Sequence, residues 1–230
     1  NVLLGGGIVA SNHIYQGDSI QIGFFDATNT SLGISNGVVM GTGDISVLDP
    51  LFPGFGGVPS NLATDPDLLN VANSVPPLLP SPHTNSFTVS SINDVAVLEF
   101  DFIPTSDSLS FQYVFGSEEY FAFENSQYND VFGFFLSGPG ITGPYSSPSF
   151  HPNGSVNLAI VPGSNPPLPI TISSVNSVTP INAQYFVDNQ GGLDTIAYAD
   201  GYTTVLTAYA AVQCGEIYHI RLAIADGSDT

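Results

Sequence analysis

Positive charge is what this chain most lacks. Its 230 residues hold one lysine or arginine, Arg221, against twenty aspartates and glutamates, for a formal net charge of −19. Salt bridges within the chain therefore cannot be a general stabilising device. Self-repulsion favours solubility and opposes compactness unless salt or bound cations offset it. Duplex DNA or RNA is excluded as a partner because no basic surface can meet the phosphates. An anionic membrane surface is disfavoured on the same ground.

Other absences narrow the reading further. With one cysteine, Cys214, no internal disulfide can form. No basic or imidazole neighbour lowers the pKa of that thiol, so it is expected to be a small buried apolar residue rather than a nucleophile. No apolar run approaches the roughly 20 residues that span a bilayer. No leader-like segment opens the sequence, and Asn1 reads as the start of a mature or trimmed chain. Helix signals are almost missing.

What is present is strand chemistry. Sixteen phenylalanines and ten tyrosines supply a core, and 24 glycines and 18 prolines punctuate short runs rich in Val, Ile, Phe, Tyr and Thr. Alternation is clean in three places. Ala96, Leu98, Phe100 and Phe102 oppose Val95, Val97, Glu99 and Asp101. Leu109, Phe111, Tyr113 and Phe115 oppose Ser110, Gln112 and Val114. Tyr218, Ile220, Leu222 and Ile224 oppose Ile217, His219, Arg221 and Ala223. A period of two identifies core-facing rows.

Further strands are predicted over residues 19–24, 38–40, 87–89, 157–161, 170–173 and 202–209. Residues 62–73 are the best helix candidate, with Thr64 or Asp65 as cap and Pro66 in the first turn. Residues 49–60, 75–84, 139–154 and 162–169 read as irregular. The fold class is all-β: a jelly-roll-like antiparallel β-sandwich with long loops and at most one or two short helices, forming one domain over 1–230.

The strongest site candidate is the connector between the runs 109–115 and 131–136. It carries Glu118, Glu119, Glu124, Asn129 and Asp130 and no cation. Calcium takes six to eight oxygen ligands from carboxylates, amides, backbone carbonyls and water. Glu118, Glu119, Asn129 and Asp130 are the candidate metal ligands. Glu118 and Glu119 are adjacent, so both meet one ion only if the chain turns there. The alternative is a solvated loop whose Asp and Asn cap turns. No EF-hand spacing is present.

Weaker constellations follow. Residues 188–194, DNQGGLD, fit a tight turn or a second ligand loop, and Asp226 and Asp229 look calcium-like near the chain end. Glu99 and Asp101 share a strand face roughly 7 Å apart by strand rise, within reach of paired glycosidase carboxylates. Nothing else supports hydrolysis, and the reading is not an enzyme. The glycines of LLGGGI, residues 3–8, lack a phosphate-loop setting. His13, His83, His151 and His219 show no zinc spacing, and His219 is expected at a surface. Arg221 is expected in an ion pair within the sheet. Tyr15, Tyr120, Tyr128, Tyr145, Tyr185, Tyr198 and Tyr202 either cap the sandwich ends or form a sugar-stacking or protein-contact surface.

FGSEEY at residues 115–120 followed by NDVFGFFLSGPG at 129–140 resembles the bacterial cell-surface family called choice-of-anchor L. LLGGGI, LGISNGVVMGTGD at 32–44 and DPDL at 65–68 match its N-terminal half. AVLEFDFIPTSDSLSFQYVFGSEEY at 96–120, AQYFVDNQGG at 183–192, YTTVLTA at 202–208 and CGEIYHIRLAIAD at 214–226 follow in the family's order. The resemblance implies an extracellular module displayed by a large bacterial surface protein, often a substrate of the Bacteroidetes type 9 secretion system, such as the adhesins of gliding motility. It also implies a cysteine pairing near the QYFVDN motif, which Ile181 and Asn182 cannot supply here. The chain then reads as a fragment of a larger surface protein.

The function expected is a non-enzymatic adhesion or structural module, stabilised by Ca2+. Its partners would be a surface polysaccharide, a protein ligand or neighbouring domains of the same protein. The alternative is a calcium-dependent, lectin-like carbohydrate-binding domain.

Overall fold

The computed structural model describes residues 8–49, 64–190, 196 and 198–228. Most of LLGGGI, most of the 49–60 stretch, Asp194 and Asp229 lie outside the described residues. The architecture is an all-β sandwich of antiparallel sheets with one short α-helix. Strands β1 (Val9–Gln16), β2 (Ile22–Asp26) and β3 (Asn36–Met40) precede helix α1 (Pro66–Ser74). Next come β4 (Ile92–Ile103), β5 (Ser108–Tyr113), β6 (Gly116–Ser117), β7 (Val131–Ser137) and β8 (Val156–Asn157). Strands β9 (Phe186–Asp188), β10 (Gly201–Thr203), β11 (Leu206–Ala211) and β12 (Tyr218–Gly227) complete the order. The main sheet runs β1-β4-β12-β7-β8, with smaller sheets β6-β10-β9, β11-β5 and β2-β3.

Both faces of the central strands β4 and β12 pack against other parts of the chain, so apolar residues occur in both of their alternating rows. One face carries Phe100, Phe102, Phe132, Leu136, Tyr218, Ile220 and Leu222, and packs on Leu109, Phe111, Tyr113, Leu206 and Ala208 of β5 and β11. Aromatic edges join the layers. Phe111 meets Phe134 at 5.1 Å between centroids, and Tyr113 meets Phe132 at 5.7 Å. The other face carries Val95, Val97, Val131, Phe135, Ala223 and Ala225 and receives Leu68, Val71 and Ala72 of α1. Leu68 and Val71 are fully buried, each burial favouring the docked helix by about 1.5–3 kcal/mol.

Local side-chain chemistry set the limits of several predicted strands. Residues 19–21 form a 3₁₀ turn instead, because Asp18 caps it and Gln21 reaches back to the Asp18 N–H. Residues 87–89 form no strand. The Val89 N–H and carbonyl are both taken by the Asn73 side chain, at 2.9 and 3.0 Å. The 157–161 strand stops after Asn157, whose Oδ1 accepts from Phe134 and Ala159. Residues 170–173 contribute one bridge, Thr171 to Val131. The Ser174 hydroxyl takes the Thr171 N–H and bonds the Pro169 carbonyl. The 202–209 run divides into β10 and β11. Cys214, expected to be buried, is exposed. It sits in the turn between β11 and β12, where side chains face water.

Helix α1 is capped by Asp65, whose Oδ1 accepts from the Asp67 and Leu68 N–H groups at 2.9 and 3.0 Å. Arg221 was expected to pair within the sheet; it instead ties the sheet to this helix. Its guanidinium forks to Asp65 and, at 2.6 Å, to Asp67, and lies 4.5 Å from the centroid of the Phe135 ring. Asp67 also receives the Ser146 N–H, at 3.1 Å to each oxygen. The cation thus sits where the carboxylates of the helix N-terminus converge, and it is largely shielded from water.

Replacing Arg221 by Met leaves two carboxylates facing an apolar sheet. Urea unfolding is expected to show a loss of about 3–5 kcal/mol, with partial recovery when Asp67→Asn is added. A change no larger than that of an ordinary surface substitution would show that the clamp does not hold the helix.

Candidate metal centre

The predicted connector begins in β6 and ends immediately before β7. Glu118 is exposed, whereas Glu119, Asn129 and Asp130 are buried. The chain turns at these residues, with the Ala122 and Phe123 N–H groups donating to the Glu119 carbonyl, and the two adjacent glutamates still differ in exposure. The Ser117 hydroxyl links two parts of the connector: it accepts from the Glu119 N–H at 3.0 Å and donates to Asp130 Oδ2 at 3.0 Å. Glu124 is a local cap, its Oε1 accepting from the Phe121 N–H at 2.7 Å. Asn125 fastens the connector to Ser173 and Thr179.

Strand β12 brings a further carboxylate to this place. Ala225 pairs with Val131 of β7, and after an irregularity between Ile224 and Asp226, Asp226 stands opposite Asn93 of β4. Asp130 and Asp226 are therefore the next residues beyond the Ala225–Val131 pair, both on the same side of it. The Gly227 N–H approaches Asp130 Oδ1 at 3.4 Å. A Cβ at Gly227 would stand 2.7–3.0 Å from the Asn129 backbone, so only glycine allows this approach. Asp94, next to Asn93, is buried in a left-handed conformation with φ 50°. Gln21 holds it there, donating from one amide to the carbonyls of Asp94 and Thr42 at 2.9 and 2.7 Å.

The electrostatic consequence falls on Asp226. Burial first, then the negative charges of Asp130, Glu118 and Asp94, push its pKa up to about 9, against a smaller opposing hydrogen bond from Thr42. The Tyr198 hydroxyl is raised by burial and by Glu118, Asp226 and Asp200. Tyr120 is raised by burial, then by Glu124 and Asp130. Two polar side chains here are fully buried without hydrogen-bond partners: Asn129, at both amide atoms, and Tyr120, at its hydroxyl. Each such group costs about 1–3 kcal/mol when nothing satisfies it.

Oxygen donors alone gather here, which is the chemistry of a hard cation such as calcium and not of zinc or copper. The orphaned Asn129 carbonyl and the raised Asp226 fit such an ion. Among the described residues no group of three or more His, Cys, Asp or Glu side chains is already placed to hold a metal ion.

The remaining candidates are placed as follows. His219, expected at a surface, stands between Glu99 and Asp101, with Nδ1 2.8 Å from Asp101 and Nε2 3.5 Å from Glu99. Asn12 donates to the second Asp101 oxygen at 2.7 Å. Of the 188–194 segment, described to residue 190, Asp188 accepts from the Gln190 N–H and the Asn189 amide donates to the carbonyls of Ile196 and Ala199. Tyr120 and Tyr202 belong to the core, and the tyrosine most open to water is Tyr209.

The folded protein keeps the Asp226 proton up to about pH 9, whereas an unfolded aspartate releases it near 3.8. The native state therefore binds more protons across that window, and stability falls as pH rises through it. In chelator, wild type is expected to lose up to about 1.4 kcal/mol per pH unit relative to Asp226→Asn between about pH 5 and pH 8. Parallel stability profiles for the two proteins would contradict this burial of charge.

A family model described as Choice-of-anchor L domain matches residues 1–230. No curated protein and no solved structure matches the chain. Among the described residues no helix is long and apolar enough to cross a membrane. The chain belongs to the choice-of-anchor L domain family and so to a class of modules of cell-surface or secreted proteins.

Proposed function

We propose that this domain is a non-enzymatic adhesion or structural module of a larger extracellular protein and that calcium bound at the acidic connector stabilises it. The observation that carries this reading is a charge imbalance. Buried carboxylates meet at the connector, and the only lysine or arginine in the sequence is engaged elsewhere. No lysine or arginine neutralises them there, and in this reading a proton or an external cation does. The candidate ligands remain Glu118, Glu119, Asn129 and Asp130. The non-enzymatic reading is supported by the engagement of Glu99 and Asp101 with His219 and Asn12, a bonding pattern suited to fixing strands. Its partners would be a surface polysaccharide, a protein ligand or neighbouring domains.

A lectin-like variant has one observation in its favour. Glu118 is exposed, and half-buried Tyr198 lies within its field, so an ion held there would face water beside an aromatic ring. Sugar binding that requires calcium would select this variant.

Thermal unfolding in calcium and in chelator, at fixed ionic strength, tests the metal. At a hundredfold excess over Kd the native state gains about 2.7 kcal/mol, an increase in Tm of about 5–10 °C for a chain of this size. Magnesium is expected to give a smaller shift. No shift with calcium would remove the metal from this reading.

A further inference from the structure

We propose that the cation is a cross-strand staple: Asp130 at the start of β7 and Asp226 at the end of β12 hold it between them, with Asp94 and Glu118 completing the carboxylate set. This rests on the calcium reading above and changes its ligands, from the connector alone to four separated segments of the chain.

Three observations support the staple. The sheet register sets Asp130 and Asp226 together just beyond the Ala225–Val131 rung, and Asn93, opposite Asp226, brings Asp94 beside them. The Gly227 backbone lies against the Asn129 backbone, leaving no room for a cationic side chain to enter from that side. Finally, Tyr120 and Asn129 border the cluster as fully buried polar side chains without partners. The Tyr120 hydroxyl lies in the field of Asp130, and the Asn129 amide directly precedes Asp130 in the chain. A hydrated calcium ion supplies what Asn129 and Tyr120 lack: the Asn129 carbonyl can join its oxygen shell, and one of its waters can accept a hydrogen bond from the tyrosine hydroxyl, while its charge suits a carboxylate set. Ligands on four segments also suit calcium's loose six-to-eight coordination better than the near-ideal octahedron of magnesium.

The staple joins elements that are far apart in sequence. Residues 94, 118, 130 and 226 lie on β4, the connector, the entry to β7 and the end of β12. Calcium is thus expected to fix the end of the sheet opposite the Arg221 clamp.

Calorimetric titration with calcium chloride at about pH 8, on wild type, Asp226→Asn and Asp94→Asn, tests the ligand set. Asparagine tolerates the left-handed backbone at position 94, so that variant keeps its local geometry. Both variants are expected to bind calcium at least tenfold more weakly than wild type. In chelator, Asp226→Asn is expected to melt no lower than wild type, which separates lost ligation from lost folding. Wild-type calcium affinity in Asp226→Asn overturns the staple while leaving a connector site standing, and wild-type affinity in Asp94→Asn overturns the four-segment set. Absence of binding to wild type overturns both readings.

Discussion

The forked contact of Arg221 with Asp65 and Asp67 sets the electrostatics of the whole molecule, because no second lysine or arginine exists to make another. The helix cap, the first helical turn and the segment around Ser146 converge on one guanidinium lying over Phe135. Helix α1 covers one face of the main sheet, so the same contact keeps Val95, Val97, Ala223 and Ala225 out of water. An ion pair of this kind contributes little when compared with a hydrophobic substitute, but its disruption strands charge in an apolar place.

The other carboxylates are satisfied by different means. Asp18, Asp26, Asp44 and Asp188 accept from backbone N–H groups two residues ahead, so turn geometry supplies the positive end of a dipole. Glu99 and Asp101 share His219. Asp130 takes a serine hydroxyl and Asp226 a threonine hydroxyl, which hydrogen-bond each carboxylate without cancelling its charge. Strand β12 thus bears the chain's one lysine or arginine at Arg221 and, five residues on, a carboxyl that burial and neighbouring acids push well up, at Asp226. The first is compensated from within the chain; the second depends on solution.

Much of this was legible in the sequence where the signal was local. The three alternating rows mark core faces because strand period is intrinsic to the backbone, and the Asp65–Pro66 pair marks the helix start because capping acts within three residues. The density of acid in the connector also pointed to a place where Glu119, Asn129 and Asp130 are buried. The partnership of Asp130 with Asp226 was not legible, because it depends on the β7–β12 register. Asp94 was hidden for the same reason, its role depending on Gln21, 73 residues away. Strand β1 escaped notice because it is mostly exposed and carries no apolar alternation. The exposure of Cys214 went against a residue-type preference that a turn position outweighs.

Amide hydrogen exchange at neutral pH, in calcium and in chelator, tests most directly the claim that the two ends of β12 are neutralised from different sources. The account expects calcium to slow exchange at residues 129–132 and 224–228 while leaving helix α1 and the Arg221 region unchanged. Equal protection in both conditions, or a change spread evenly over the sheet, would contradict it.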